Sequence, residues 1–109
     1  EERTEKFSLS LIRFIKAIPL NIYNENIIRQ ILKSGSSIGA NYREANGAES
    51  KRDFCHKIAI CKKEAKETQY WLQLLFEVSP DSKAAGQAIF KECEELIYIF
   101  AKIYSSTRI

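Results

Sequence analysis

The chain has 109 residues, 45% of them hydrophobic and 28% charged, with a formal net charge of +3. This is the make-up of one soluble globular domain with its own core. No apolar run approaches the roughly 18–20 residues that a membrane span needs, and no basic stretch leads into a short apolar one as in a secretory signal; the expected setting is the cytoplasm, with no membrane partner. Three cysteines, Cys55, Cys61 and Cys93, are an odd count without a signal peptide and predict free thiols. No methionine occurs, so an initiator is expected ahead of Glu1.

Two prolines and four glycines punctuate four helical stretches. In the first, Phe7, Leu11, Phe14, Ile15 and Ile18 recur at helical spacing, and Pro19 ends the run. Asn21 or Asn24 can cap the second, which continues to Asn46-Gly47, a helix stop. Gly35 and Gly39 interrupt it at roughly 1 kcal/mol each against Ala, which fits close packing of a neighbouring helix or a kink near Ser34-Gly35-Ser36. Ser50 with Asp53 three residues on resembles a capping box at the start of the third helix, which runs to about Val78. Ser79-Pro80-Asp81 is a restart signal. The fourth helix places Ala85, Ile89, Cys93, Leu96, Phe100 and Ile103 on one face. No stretch alternates like a strand. Long helices joined by short links predict an all-α, antiparallel up-down-up-down four-helix bundle, as a single domain over 1–109.

The second helix carries a polar stripe. Gln30, Ser34, Ser37, Asn41 and Glu44 stand at offsets 0, 4, 7, 11 and 14, which keeps them on one side. Ile27, Ile31, Ile38 and Ala45 line the adjoining face, so the stripe borders the core and its members need partners. An unpaired buried polar group costs roughly 1–3 kcal/mol.

The third helix divides lengthwise. Phe54, Ile58, Cys61, Ala65, Leu72 and Leu75 form one apolar arc, the expected core face. Cys61 and, on the fourth helix, Cys93 sit at core phases, whereas Cys55 lies off the main apolar face. Ile60, Tyr70, Trp71, Leu74 and Val78 form a second apolar strip. An isolated bundle has no use for two such faces, so Ile60, Tyr70, Trp71 and Leu74 are expected at an interface with another copy of the chain. The N-terminal half is basic. Residues 51–66 hold six cations against Asp53 and Glu64, a local +4 beside +3 for the whole chain. Lys51, Arg52, Lys62, Lys63 and Lys66 share an arc of about 120°. Cations at a helix start oppose the macrodipole, and their clustering points to RNA or DNA phosphates. No aromatic is interleaved with them except Tyr70 at the edge, so base stacking is not expected.

Signals for catalysis are weak. The one histidine, His56, sits in Asp53-Phe-Cys-His56, which is not a Glu-x-x-His metal motif. There is no Cys-x-x-Cys, His-Glu-x-x-His, phosphate-binding glycine loop or Gly-x-Ser-x-Gly elbow. Glu44, Glu64 and Glu67 could approach one another inside the bundle, and paired carboxylates can do acid–base work; hydrogen bonding to Ser, Asn or Gln across a helix interface is the expected role. No catalytic residue, metal or cofactor is expected.

The segment Gln30-Ile-Leu-Lys33-Ser34-Gly-Ser-Ser37-Ile38-Gly-Ala-Asn41-Tyr-Arg-Glu44-Ala45 resembles the signature of the 23S rRNA intervening-sequence proteins. Phe54, Ile58-Ala59 and Lys63-Glu64-Ala65-Lys66-Glu67-Thr68-Gln69-Tyr70-Trp71-Leu72 match its second block. The link Pro19-Leu-Asn-Ile-Tyr-Asn-Glu-Asn26 departs from the more basic or Ser/Thr-capped form of that family. The resemblance implies a bacterial four-helix bundle that closes into a homopentameric ring. Family members are encoded in insertions within 23S rRNA genes and elsewhere in bacterial genomes, so the family name gives a gene location and not a ribosomal role. A similar bundle, the accessory protein of diversity-generating retroelements, forms a basic pentameric barrel that binds RNA and a reverse transcriptase. Ser37, Asn41, Glu44, Glu64 and Glu67 fall on the family's motif positions and are read, with Gln30 and Ser34, as a polar network. The function expected is a non-enzymatic oligomer whose basic face contacts RNA or DNA. The alternative is a protein–protein scaffold that binds no nucleic acid.

Overall fold

The computed structural model describes residues 2–107, so Glu1, Arg108 and Ile109 of the expected 1–109 domain lie outside the described residues. Four helices follow one another: α1 (Glu2–Lys16), α2 (Glu25–Asn46), α3 (Lys51–Val78) and α4 (Lys83–Thr107). At 1.5 Å per residue the 28 residues of α3 span about 42 Å, which accounts for most of the 45 Å long dimension. Contacts between neighbouring helices run in opposite chain order. Ser34 meets Thr68, whereas Glu44, near the end of α2, meets Lys57, near the start of α3. Likewise Gln69 reaches Phe90, while Cys55 reaches Thr107 at the far end of α4. Arg3 at the start of α1 pairs with Glu92 and Glu95, and Phe14 near its end lies at Gly86 near the start of α4. α1 packs beside α2 and α4, and among the described residues its backbone does not approach that of α3. α1 and α3 therefore occupy diagonal corners.

The core is built from the predicted apolar stripes, with Leu11, Ile31, Ile38, Ile58, Leu72, Leu75, Leu96 and Phe100 closed off from solvent. Two small residues set how closely helices approach. A Cβ at Gly35 would collide with Leu11, and one at Gly86 with Phe76 and Phe14. At Gly39, by contrast, the nearest atom to a built Cβ is Ser8 Oγ at 3.4 Å, ordinary contact. α2 is continuous helix through both glycines. Gly86 also corrects the expected face of α4. Ala85 is exposed and Gly86 is buried, because the Phe14 and Phe76 rings occupy the space where a side chain would go.

Helix ends follow the punctuation, with changes in which atom does the capping. Ser50 Oγ accepts from Asp53 N at 3.0 Å, starting α3. At the start of α2 the two asparagines act together. Asn21 Oδ1 accepts from the backbone N–H of Tyr23 and Asn24, and Asn24 Oδ1 accepts from Asn21 N. Asn24, fully buried, also donates from Nδ2 to Pro19 O and to Ser79 Oγ. One side chain thus ties the α1–α2 link to the α3–α4 link. Ser79 consequently makes no side-chain bond to the single 3-10 turn, Pro80–Ser82, that precedes α4. Gly47 ends α2 without a left-handed conformation: its N–H bonds to Glu44 O and that of Ala48 to Ala45 O.

All three cysteines are free and buried. Burial pushes the Cys61 and Cys93 thiols up to about 12, and they donate to Ile38 O and Ala65 O. Cys55, expected off the apolar face, is covered because the last turn of α4 places Thr107 over it, with Sγ and Oγ1 3.3 Å apart.

Candidate functional site

α3 presents both of the surfaces that the sequence singles out. In its N-terminal half, Lys51, Arg52, Lys63 and Lys66 are exposed and Lys62 is half-buried. Lys62 stands two turns after Cys55 on the stripe that α4 partly covers. None of the five has a carboxylate within ion-pair distance among the described residues, whereas Lys57, on the same helix, is held by Glu44 at 2.6 Å. The ion pairs of the described residues otherwise involve Arg3 and Arg29, far along the chain. Lys51 and Lys66 are fifteen residues apart, about 22 Å along the axis, the length of roughly six base pairs at 3.4 Å each. Lys51, Arg52, Lys62, Lys63 and Lys66 thus lie along one face of α3. Lys62 and Lys66, one turn apart, repel each other by about 0.2–0.5 kcal/mol, as like charges at that spacing do.

In the C-terminal half Tyr70 is 53% exposed, and Trp71, Leu74 and Val78 are half-buried, as is Ile60 earlier on the helix. The Tyr70 and Trp71 rings meet edge-on at 5.2 Å. The indole Nε1 of Trp71 donates to Glu67 at 3.4 Å, so the ring lies against the bundle with its polar edge turned to water.

The polar residues do not join into one network. Ser34, almost fully buried, pairs with the buried Thr68 at 2.7 Å, and Thr68 Oγ1 also lies 2.8 Å from Glu64 O. Asn41 donates to Ser37 through both its backbone oxygen and its Oγ. Glu44 faces outward to Lys57. Glu67 serves Trp71 alone, and the side chains of Gln30 and Glu64 have no hydrogen-bond partner among the described residues. Glu44 and Glu67 therefore serve separate contacts, and neither shares a partner with Glu64. No group of three or more His, Cys, Asp or Glu among the described residues is placed to hold a metal ion. Nor does any buried side-chain nitrogen or oxygen among them lack a partner. His56 is exposed on α3. A cleft of about 540 Å³ lies between α1 and α2 and is lined by Thr4, Glu5, Ser8, Tyr42, Arg43 and Glu44 among others, with neither histidine nor cysteine. No helix among the described residues is long and apolar enough to cross a membrane.

Sequence reasoning passed over some contributors. Thr68 is the partner the buried Ser34 requires; its signal is a hydroxyl at a core phase between Ala65 and Leu72. Two exposed apolar groups also went unmarked. Leu9, Ile12 and Leu32 lie on the α1–α2 side, and Leu20, Ile22 and Tyr23 lie on the α1–α2 link. For Leu20, Ile22 and Tyr23 the signal is the departure of residues 19–26 from the more basic or Ser/Thr-capped link of the family that the sequence resembles.

Fold and surface together define an all-α four-helix bundle with a basic half and an apolar half on its longest helix. The 23S rRNA-intervening sequence protein family matches residues 2–102, and the chain belongs to that family. A solved structure similar to it is a protein of unknown function from the S23 ribosomal protein family of Bacteroides thetaiotaomicron. That protein is 34% identical, with 94% of this chain and 95% of that one covered, at a TM-score of 0.81. Among curated proteins none matches the chain.

Proposed function

We propose that this chain is a non-enzymatic bacterial protein of the cytoplasm that assembles with copies of itself and holds RNA or DNA phosphates on the basic half of α3. The observation that carries this reading is the set of five α3 cations, Lys51, Arg52, Lys62, Lys63 and Lys66, with no ion-pair partner among the described residues. Self-association is supported by the apolar strip of the exposed Tyr70 with the half-buried Trp71, Leu74 and Ile60, and the likeness to ring-forming bundles makes a pentamer the assembly expected. Repeating the basic half around a ring would multiply weak phosphate contacts into avidity. Fluorescence anisotropy of labelled structured RNA and duplex DNA tests the reading, with wild type beside a Lys62→Glu/Lys63→Glu/Lys66→Glu variant. Micromolar binding by the wild type and its loss in the variant are expected; equal affinity of the two proteins contradicts it.

A protein–protein scaffold is the second reading, favoured by one specific feature. Leu20, Ile22 and Tyr23 are 65%, 84% and 70% exposed on a link that the Asn21 and Asn24 side chains hold rigid. Large apolar side chains fixed in water are typical of contact surfaces. Binding of neither RNA nor DNA at low salt, with an assembled wild type, would favour it.

A further inference from the structure

On α3, Arg52, His56, Ala59, Lys63, Lys66 and Tyr70 stand at offsets 0, 4, 7, 11, 14 and 18. That spacing lines them up along one side of a helix, and all six are exposed. They form the solvent-facing midline of α3. His56 therefore stands within the basic face itself, about one turn after Arg52 and two turns before Lys63. Ala59, between His56 and Lys63, is too short to cover the ring.

The charged groups around His56 are few. On α3, Asp53 is the one carboxylate within a turn of it, exposed and in the first turn, where the macrodipole favours an acid. The cations on that helix nearest to it are Arg52 and Lys57. Of the helices packed on α3, α2 brings Glu44 to this level, and Glu44 is held by Lys57 at 2.6 Å. α4 brings the uncharged Thr107, which lies over Cys55. Lys102, the one charged residue of residues 100–107, lies over the Tyr98 ring. The link before α3 brings Glu49, exposed. Among the described residues no carboxylate forms an ion pair with His56.

Neutral imidazole carries one N–H donor and no charge, whereas imidazolium carries two donors and a positive charge. Histidine is the side chain that ordinarily makes this change between about pH 5 and 8. Resting on the phosphate-binding reading of α3, we infer that His56 is a sixth phosphate contact on this face, made only when its ring is protonated. A phosphate oxygen that accepts from the ring favours the protonated form. The complex then holds a proton that the free chain has released, so affinity rises as pH falls. The proton is taken from solvent on binding and returned to it on dissociation. Nucleic acid meets five cations on α3 in alkaline solution and six in mild acid.

The test is anisotropy of labelled structured RNA and duplex DNA at pH 5.5 and pH 8.0, each between 50 and 200 mM salt, with wild type, His56→Gln and His56→Lys. For wild type on duplex DNA the slope of log Kd against log salt is expected to be about 4.5 at pH 8.0 and about 5.4 at pH 5.5. Affinity at 50 mM salt is expected to be about tenfold higher at pH 5.5. His56→Gln keeps a polar side chain without the charge and is expected to show the shallower slope at both pH values. Any general effect of acid on the carboxylates appears in this variant too, so the comparison removes it. His56→Lys, charged throughout, is expected to show the steeper slope at both. His56 is the only histidine of the chain, so its ring protons are identified by NMR without ambiguity, and their titration midpoint is expected to move to higher pH when RNA or DNA is added. A pH dependence in His56→Gln equal to that of wild type overturns the inference and leaves phosphate binding by α3 standing. A titration midpoint that bound nucleic acid does not move has the same meaning. Binding of neither nucleic acid at either pH overturns both readings.

Discussion

Replacing Asn24 with alanine removes the side chain that joins the two links at one end of the bundle. Asn24 Oδ1 accepts from Asn21 N at 2.9 Å, and Nδ2 donates to Pro19 O at 3.0 Å and to Ser79 Oγ at 2.9 Å. Three polar groups lose a partner, at about 1 kcal/mol each for ordinary hydrogen bonds and more where water does not reach. The expected loss is about 3 kcal/mol, a large share of the stability of a small domain. Unfolding entropy of about 2.1 cal/mol/K per residue converts this into a Tm lower by about 13 °C for a chain this long. Urea unfolding followed by circular dichroism, at fixed protein concentration because assembly shifts apparent stability, measures it directly. Ser79→Ala removes one bond and is expected to cost about 1 kcal/mol. The double variant is expected to cost about as much as Asn24→Ala alone, since the two changes share that bond. A loss below 1 kcal/mol for Asn24→Ala, or strict additivity with Ser79→Ala, would refute the idea that this side chain locks the two links together.

Gly86→Ala is expected to destabilise by about 1–3 kcal/mol through overpacking against Phe76 and Phe14, whereas Gly39→Ala, where space exists, is expected to be neutral or to stabilise by up to about 1 kcal/mol; thermal melts separate the two. Thr68→Val leaves Ser34 Oγ without its buried partner and is expected to cost about 1–3 kcal/mol, with Ser34→Ala in the same chain recovering part of it. The thiols of Cys61 and Cys93 are raised from 9.0 to about 12 in the fold. Between those values the unfolded chain has released protons that the folded chain keeps, so stability falls as pH rises from about 9 toward 12, by about 1.4 kcal/mol per pH unit for each thiol. Cys61→Ala/Cys93→Ala is expected to flatten that alkaline slope relative to wild type in urea unfolding, and an unchanged slope counts against buried thiols.

The architecture was legible because punctuation and periodicity agreed. Pro19, Gly47, Ser50 and Pro80 mark the ends of elements, and the apolar stripes of α2 and α3 give their core faces directly. The errors arose where neighbours decide burial. Cys55 is off-phase on its own helix and is covered by the end of α4, which no single-helix pattern encodes. Ala85 looked like a core residue because it is apolar, while the buried position belongs to Gly86, whose lack of a side chain admits two phenyl rings. The polar stripe of α2 was visible as a pattern, but its division into a Ser34–Thr68 pair, an Asn41–Ser37 bond and a Glu44–Lys57 ion pair depends on register between helices. The basic half of α3 could be read from composition alone, since exposed lysines need no partner to stay where they are. That Lys57 is tied down and five others are not emerges only with Glu44 in place across the seam.

The most direct test of phosphate binding by α3 is the salt dependence of RNA and duplex DNA affinity, measured by anisotropy between 50 and 200 mM salt. If all five cations meet phosphates of a duplex, log Kd rises with log salt at a slope of about 4.5, a weakening of roughly 500-fold over that range. Lys63→Gln is then expected to reduce the slope by about 0.9. Absence of binding at 50 mM salt, or a slope unchanged by loss of Lys63, would contradict the account.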